Sequence, residues 1–387
     1  MRILFLTPFL PDPEARHGGG SYIGALAAGL TEHAELGLAY LARPGDGAPA
    51  ADTWTWHARV PYEGEPKGFA HQVKMLARWR RQPLLVAKHA APAMWKALEQ
   101  ARATFRPDVA LVEMAQMAQY LPGLRGLPSV LTDHEDGQPG NAGTGLGRWA
   151  DRRDERLWSR YVRAFYPLAD ALQAVTEEDA VALRRLVDRP VEVRPAALPA
   201  PAQIVDPGAA PQAAVFLGDY LHRPNPEAAR RLATEVWPRV RRRCPDAQLL
   251  LAGPHPEPIA GLAELDGVRV LGFVDDLQAL LGSARVVLGP LWSGGGFRVK
   301  NATALLHGLP VVTNALGARG CRAPSPACAV AETPAELAEA TCTLLSDPAL
   351  ARAAGAEARR WAEPRYDAGA LARRQLESLR ALLAARR

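Results

Sequence analysis

The chain has 387 residues, of which 48% are hydrophobic and 22% are charged, a composition typical of a globular protein with enough residues for two well-packed domains. No apolar run is long enough to span a bilayer, so the sequence predicts no transmembrane helix. The net charge of +5 favours an anionic partner, and charge alone leaves open a nucleotide, a phospholipid surface or a nucleic acid.

The first residues, MRILFLTPFLP, are interrupted by Pro8, and no small-residue cleavage site follows them. We therefore interpret Arg2 to Thr7 as a buried strand and not as part of a signal peptide. The four cysteines show no CxxC spacing. This pattern argues against a zinc site and for reduced thiols in the cytoplasm.

A glycine-rich stretch follows this strand, with His17, Gly18, Gly19, Gly20 and Ser21 preceding a helical pattern. A strand, a glycine loop and a helix in this order open dinucleotide-binding folds, although the spacing is not GxGxxG. Ser21 is equally well explained as a helix cap.

Between residues 67 and 106 the pattern is helical and basic. Within Lys67 to Arg81, apolar residues recur at helical spacing with basic residues around them. A stretch of this kind either docks on an anionic membrane or forms an ordinary solvated helix. The first alternative places a cytoplasmic protein peripherally on the inner face of the membrane.

The next strands are predicted at Asp108 to Glu113 and at Ser129 to Leu131, and the second ends in the polar cluster Thr132 to Gly137. Open sheets bind ligands at the carboxyl ends of their strands, so His134 is a candidate site residue. The alternative is a capping or ion-paired histidine. The acidic neighbours lack the spacing of a metal triad, and we predict no metal. Gln138 to Leu146, rich in glycine, is predicted to be a mobile loop.

The Pro- and Ala-rich run from Pro195 to Pro211 is predicted to be a linker. The predicted domains are residues 1–195 and 213–365, joined by a linker at 196–212, with a final helix at 366–387 that crosses back toward the first domain. Strands alternate with helices on both sides of the linker. This alternation predicts an α/β protein with a parallel sheet in each domain.

The stretch from Ala284 to Thr313 contains the most informative motif. Three consecutive glycines, at 294, 295 and 296, join an apolar strand to a short helix, and Arg298 and Lys300 follow. Glycines let backbone N–H groups approach a ligand, the helix start carries partial positive charge, and the two side chains add full charges. The motif predicts a phosphate site, and the alternative is a flexible loop with solvated cations.

The run GGGFRVKNATALLHGLPVV resembles the nucleotide-sugar signature of the family-four retaining glycosyltransferases, also called glycosyl transferases group 1. Their GT-B fold consists of two Rossmann-like domains that face each other across a cleft. The resemblance covers nearly all of residues 213–380 and, more loosely, the N-terminal half. It implies that Arg298 and Lys300 hold the donor diphosphate. It implies further donor contacts from Gly253, Phe273, Val274, Gly294, Gly295, Gly296, Phe297 and Thr303.

In the first domain, the resemblance implies that the glycines at 18, 19 and 20 approach the sugar diphosphate and the acceptor. It implies that His134 contacts a hydroxyl of the transferred sugar.

The chain departs from the family pattern at three positions. A glutamate that binds the ribose is replaced by Thr303, and an upstream glutamate falls on Gly295. A second diphosphate-binding arginine falls on Asp219, with Arg223 as the nearest substitute. Because one hydroxyl replaces a carboxylate that accepts two hydrogen bonds, ribose binding is expected to be weaker, water-mediated or lost.

The sequence therefore predicts a metal-independent, retaining glycosyltransferase of hexosyltransferase type that works in glycan biosynthesis without a cofactor. Its catalytic residues would be Arg298, Lys300 and His134, and its partners a nucleotide-diphosphate sugar and an acceptor, not a nucleic acid. The base, the sugar and the acceptor (glycan, lipid-linked or small molecule) stay open. One alternative is a degenerate GT-B domain that binds a nucleotide or a partner without turnover, and another is an epimerase or phosphorylase.

Overall fold

The computed structural model of the chain describes residues 1–13, 18–64, 68–134, 147–294 and 296–386. His17, Gly295 and the predicted loop Gln138 to Leu146 lie outside the described residues. The chain forms two compact units. The first comprises Met1–Pro199, Gly295–Phe297 and Ala368–Arg387, and the second comprises Ala200–Gly294 and Arg298–Asp367.

The first unit is built on a sheet of seven parallel strands. They are β1 (Arg2–Thr7), β2 (Glu35–Ala42), β3 (Trp56–Pro61), β4 (Val109–Glu113), β5 (Ser129–Asp133), β6 (Ala171–Ala174) and β7 (Glu192–Val193). The helices are α1 (Gly18–Leu30), α2 (Phe69–Trp79), α3 (Leu84–Lys88), α4 (Pro92–Gln100), α5 (Arg148–Phe165) and α6 (Glu177–Val187). A π-helical turn lies at Ala101–Phe105, and 3-10 segments lie at Ala115–Leu124 and Tyr166–Leu168. The strand order is β3-β2-β1-β4-β5-β6-β7.

The second unit contains a sheet of six parallel strands. They are β8 (Ala213–Leu217), β9 (Gln248–Ala252), β10 (Val268–Gly272), β11 (Val286–Leu288), β12 (Val311–Thr313) and β13 (Cys328–Val330). The helices are α7 (Pro224–Arg231), α8 (Trp237–Arg243), α9 (Leu277–Gly282), α10 (Val299–Leu306), α11 (Pro334–Ser346) and α12 (Pro348–Tyr366). A π-helical segment lies at Leu232–Val236 and a 3-10 segment at Glu257–Glu264. The strand order is β10-β9-β8-β11-β12-β13.

Both sheets have the strand order of dinucleotide-binding folds, so the predicted α/β architecture with two Rossmann-like domains is confirmed. Apolar strands such as β1, with Ile3 to Leu6 fully buried, suit sheets that are covered on both faces. The chain order reverses between β1 and β4 in the first sheet and between β8 and β11 in the second. Ligands of open α/β sheets bind outside the carboxyl ends of the strands at such a reversal.

Some local predictions were wrong. Gly18 to Gly20 form the first turn of α1 and not a loop before it. Ser21 lies inside that helix, where its hydroxyl donates to the carbonyl oxygen of Pro13 at 2.8 Å, so it does not cap the helix. The sequence of Asp219 to Pro226 predicts a polar turn, but helix α7 already begins at Pro224, because proline fits the first turn of a helix.

The last helix, α13 (Ala368–Ala384), packs against α1 within the first unit. All four cysteines are buried and free. Among the described residues, no helix combines the length and the apolar character needed to cross a membrane.

Candidate functional site

The phosphate motif lies at the chain reversal of the second sheet, in the segment that connects β11 to α10. Gly294 has φ +96° and Gly296 has φ +77°, a left-handed conformation that side chains with a Cβ rarely adopt. Two of the three motif glycines are thus required by the shape of the turn, and Gly295 lies outside the described residues. The turn delivers Arg298 and Lys300 to the first turn of α10.

Arg298 is buried and precedes the first residue of α10. Its Nη2 donates to the carbonyl oxygen of Gly294 at 2.9 Å, and its Nε donates to that of Leu316 at 3.1 Å. The guanidinium therefore ties the glycine turn to the segment that follows β12. It also places a full positive charge at a helix N-terminus, where the free N–H groups already favour anions.

Lys300 lies half-buried with its Nζ 3.0 Å from Oδ1 of Asn225, to which it donates, and 4.0 Å from the centre of the Phe216 ring. Among the described residues, no carboxylate forms an ion pair with it. Burial, with a smaller contribution from the neighbouring Arg298 charge, lowers the pKa of Lys300 to about 7. An anion bound at this turn would supply the missing counter-charge.

Thr303 lies on α10 one turn after Lys300 and is partly exposed. Its hydroxyl makes no hydrogen bond to the described part of the chain, while its carbonyl oxygen accepts from Nδ1 of His307 at 2.8 Å. His307 is buried at the end of the helix, and burial lowers its pKa. The Thr303 hydroxyl therefore has hydrogen-bonding capacity left for a ligand.

Two asparagines that the sequence did not single out hold this region together. Asn301, fully buried in α10, donates to the carbonyl oxygens of Gly289 at 3.1 Å and Gly317 at 2.8 Å. Oδ1 of Asn314 accepts from the backbone N–H groups of Leu291 and Gly317 at 3.1 and 2.9 Å. In the sequence, each of these asparagines could have been noticed only as a polar residue among apolar ones near the glycine motif.

The end of β9 approaches the end of β8 closely. Gly253 has φ +141°, and a Cβ at this position would lie 1.8 Å from the carbonyl oxygen of Gly218, so only glycine fits. Next to Gly218, Oδ1 of Asp219 lies in hydrogen-bonding distance of Nδ1 of His255, at 3.0 Å, and the carbonyl oxygen of Asp219 accepts from Nδ2 of Asn225 at 2.8 Å. Asp219 thus orients the side-chain amide of Asn225, and Oδ1 of this amide accepts the hydrogen bond from the Lys300 ammonium.

Four other predicted residues are partly or fully exposed. Arg223 is exposed at the start of α7. Phe273, half-exposed, and Val274, partly exposed, follow β10 at the carboxyl edge of the sheet. Phe297 is partly exposed beside Arg298. The three aromatic or aliphatic side chains offer apolar surface, and Arg223 offers an exposed positive charge.

In the first unit, His134 belongs to a buried polar cluster at the carboxyl ends of four neighbouring strands. Its Nε2 donates to Oε2 of Glu113, the last residue of β4, at 2.7 Å. Arg194, which follows β7, donates through Nη2 to both carboxylate oxygens of Glu113 at 2.7 and 2.8 Å. Its Nε donates to Oε1 of Gln173 on β6 at 3.0 Å. All four side chains are buried.

The charges in this cluster follow from its contacts. Burial by itself would raise the pKa of Glu113, but the Arg194 charge and the hydrogen bonds from His134 and Arg194 together lower it. Burial lowers the pKa of His134 against the opposing effect of Glu113. The cluster therefore holds an ionised carboxylate, a guanidinium and a neutral imidazole.

Tyr22 of α1 completes the surroundings of this imidazole. Its ring stacks on that of His134 with centres 5.1 Å apart and an interplanar angle of 19°. Its hydroxyl hydrogen-bonds Nδ1 of His134. Because Nε2 carries the proton given to Glu113, Nδ1 is the acceptor from Tyr22. Both ring nitrogens thus have protein partners, and contact of His134 with a sugar hydroxyl stays a prediction. Sequence reasoning missed Tyr22, Glu113 and Arg194.

The comparisons with known proteins identify the second unit. Residues 211–347 match the family model described as glycosyl transferases group 1. The chain is a glycosyltransferase with a group 1 domain. No curated protein matches the chain significantly.

Solved structures resemble this glycosyltransferase along its whole length. Sucrose-phosphate synthase from Thermosynechococcus elongatus has a TM-score of 0.75 at 19% identity, covering 100% of both chains. Anabaena HepE in complex with UDP and glucose has a TM-score of 0.66 at 16% identity, covering 97% of this chain and 98% of that one. Trehalose 6-phosphate synthase from Burkholderia multivorans has a TM-score of 0.65 at 14% identity, covering 99% and 97%. At these identities the likeness shows the GT-B fold.

Within the part of the glycosyltransferase that the structure describes, no group of three or more His, Cys, Asp or Glu side chains could hold a metal ion. The cationic groups at the glycine turn are Arg298, Lys300 and the start of α10. These groups can bind and neutralise a phosphate.

Proposed function

We propose that this glycosyltransferase transfers a sugar, with retention of configuration and without a metal ion, from a nucleotide-diphosphate donor to an acceptor hydroxyl. The observation that carries the proposal is the glycine turn at the chain reversal of the second sheet, with Arg298 and Lys300 at the start of α10. HepE has been solved with UDP-glucose, which makes UDP-glucose the first donor to test.

The proposed chemistry follows from where charge develops. Breaking the bond between the sugar and the diphosphate builds negative charge on the departing phosphate. Lys300, whose partners among the described residues are an amide oxygen and an aromatic ring, gains a counter-ion from the diphosphate, while Arg298 and the helix start add fixed positive charge. Groups oriented in advance toward a developing charge stabilise the transition state.

Retention does not need a carboxylate nucleophile if the acceptor attacks from the face that the phosphate leaves. The buried Glu113 supports this route, because its two oxygens already accept hydrogen bonds from Arg194 and His134. A carboxylate held in this way is a poor nucleophile. We propose that the acceptor is a glycan, a lipid-linked sugar or a small molecule, and that the reaction belongs to glycan biosynthesis in the cytoplasm.

A thermal-shift panel tests the proposed donor. The chain is melted with UDP, GDP, ADP, dTDP and CDP and with their sugar conjugates. One nucleotide series should raise the melting temperature, because a ligand at a hundred times its dissociation constant adds about 2.7 kcal/mol of stability. Product detection with the selected donor then separates a transferase from a domain that only binds. If no nucleotide shifts the melting temperature and no transfer occurs, the proposal fails.

Removal of divalent ions tests the proposed metal independence. EDTA should leave donor binding and sugar transfer nearly unchanged, because cationic side chains and a helix start do what magnesium does in other phosphate sites. The matched control is a magnesium-dependent transferase that uses the same donor in the same buffer. Loss of activity with EDTA and its return with magnesium would show that a metal takes part.

A further inference from the structure

Helix α2 turns an apolar face toward solvent. Phe69 is 80% exposed, Val73 is 50% exposed and Leu76 is 57% exposed, and their spacing places them on one side of the helix. The opposite side of α2 fixes the orientation of the helix, because the buried Trp79 donates through Nε1 to Oδ1 of Asp154 at 2.8 Å. A helix of a soluble protein ordinarily turns such a face toward the core.

Helix α5 adds a cationic face beside it. Trp149, 72% exposed, stands on the same side of this helix as the exposed Arg152, Arg156 and Arg160. Helical spacing puts Asp151 and Glu155 on another side, and Asp154 is buried against α2. The outward side therefore carries positive charge without interspersed acids.

The two helices are held together by Arg153. Its guanidinium lies 4.8 Å from the centre of the Trp79 ring and donates to the carbonyl oxygens of Trp79 and Arg80, each at 3.2 Å. Between the helices is a cavity of about 530 Å³ lined by five arginines together with Trp149 and Leu157. Arg80 lines this cavity from the α2 side.

We define the α2–α5 face by the four exposed apolar residues and the four exposed arginines, which are Phe69, Val73, Leu76, Trp149, Arg80, Arg152, Arg156 and Arg160. None of these arginines forms an ion pair with a residue that the structure describes. The face thus combines apolar surface with arginines that have no acidic partner in the described part of the chain. By contrast Arg78 of α2, which the sequence also offers for membrane contact, donates to the carbonyl oxygen of Ala90 at 2.9 Å.

We propose that the α2–α5 face docks peripherally on a membrane surface rich in anionic phospholipids. Apolar side chains of an interfacial helix enter the boundary of the acyl chains, tryptophan favours the headgroup region, and arginine donates to lipid phosphates. A free phosphate would use the arginines but leave Phe69, Val73 and Leu76 in water. A nucleic acid would leave the aliphatic side chains of Val73 and Leu76 unmatched. The inference is independent of the proposed donor and reaction.

Sedimentation with vesicles tests this proposal on the full chain. Vesicles of phosphatidylglycerol and phosphatidylcholine in equal parts should carry the protein down, and pure phosphatidylcholine vesicles should not. Raising the salt concentration should release much of the bound protein, because salt screens the attraction of arginines to the surface. Absence of sedimentation with the anionic vesicles at low salt would overturn the proposal.

Three variants assign the binding to the face. The triple change Arg152→Glu, Arg156→Glu and Arg160→Glu should reduce the partition coefficient by roughly tenfold or more. The pair Phe69→Ser and Leu76→Ser should also reduce it and should remove the fraction that resists salt. The control carries Arg242→Glu, Arg373→Glu and Arg374→Glu, an equal charge change at exposed positions of α8 and α13, and should bind as the unaltered protein does.

All three variants change exposed side chains, so their melting temperatures should match that of the unaltered chain, which keeps a binding loss interpretable. Equal losses in the control and in the face variants would reduce the effect to net charge and overturn the proposal. Light scattering measures the oligomeric state and thereby tests whether a second copy of the chain, and not a membrane, covers the face. If the unaltered chain is a dimer and the Phe69→Ser, Leu76→Ser variant is a monomer, a second copy covers the face and the membrane assignment is wrong.

Discussion

Replacing Lys300 by alanine is expected to weaken UDP-glucose binding by roughly 10- to 150-fold, the equivalent of the 1.5–3 kcal/mol typical of a hydrogen bond to a charged group. The ammonium has an amide oxygen and an aromatic ring as partners and no carboxylate among the described residues. Its interaction with a diphosphate is therefore not offset by the loss of an existing ion pair. Calorimetric titration gives the affinity directly.

The matched ligand control is uridine, which lacks the diphosphate. Its affinity should be the same for Lys300→Ala and for the unaltered chain, and equal losses for uridine and UDP-glucose would contradict the assignment. Arg298→Ala is a poorer test, because Arg298 also holds the carbonyl oxygens of Gly294 and Leu316. Its loss should lower the melting temperature as well as the affinity.

The same lysine should make binding depend on pH. Its pKa of about 7 in the unliganded chain lies below the ordinary value of 10.5, and a bound diphosphate raises it again. Binding above pH 7 therefore takes up a proton, and affinity should fall by about fivefold between pH 7 and pH 8. UDP-glucose suits this measurement because its diphosphate has no proton to lose in that range. Lys300→Arg should bind without this dependence, because the guanidinium stays charged.

The second large effect is expected in the first unit. Glu113→Gln removes the charge that faces the buried Arg194 while preserving shape, and breaking a buried ion pair in this way costs about 3–5 kcal/mol. For a domain of this size, the melting temperature should drop by roughly 6–20 °C. Differential scanning calorimetry measures the shift.

Two further variants separate the contribution of the Glu113–Arg194 ion pair to stability from that of the neighbouring polar groups. Glu192→Gln changes an exposed carboxylate of the same polar network, which accepts from Gln173 at 3.0 Å and Ser378 at 2.9 Å, and should have little effect. Adding Arg194→Met to Glu113→Gln removes both buried charges and should restore part of the stability. If the Glu113→Gln and Glu192→Gln variants have the same melting temperature, the Glu113–Arg194 ion pair contributes no more to stability than a surface contact does.

The two sheets were predictable because each depends on a pattern that is local in the chain. Apolar runs such as Arg2 to Thr7, separated by helical periodicity, required parallel strands with helices on both faces. The phosphate turn was equally predictable from the sequence. The glycines that the turn requires at 294 and 296 and the charged residues beside them all lie in one short segment.

The sequence by itself determined the α/β architecture, the two Rossmann-like sheets and the glycine turn with its two cations. Only the tertiary structure decided what those side chains touch, because contact depends on which strand ends the sheet order brings together. Glu113 and Arg194 are 81 positions apart and meet because β4 and β7 end at the same edge of one sheet. The α2–α5 face has the same origin, since Trp79 and Asp154, 75 positions apart, fix which sides of the two helices turn outward.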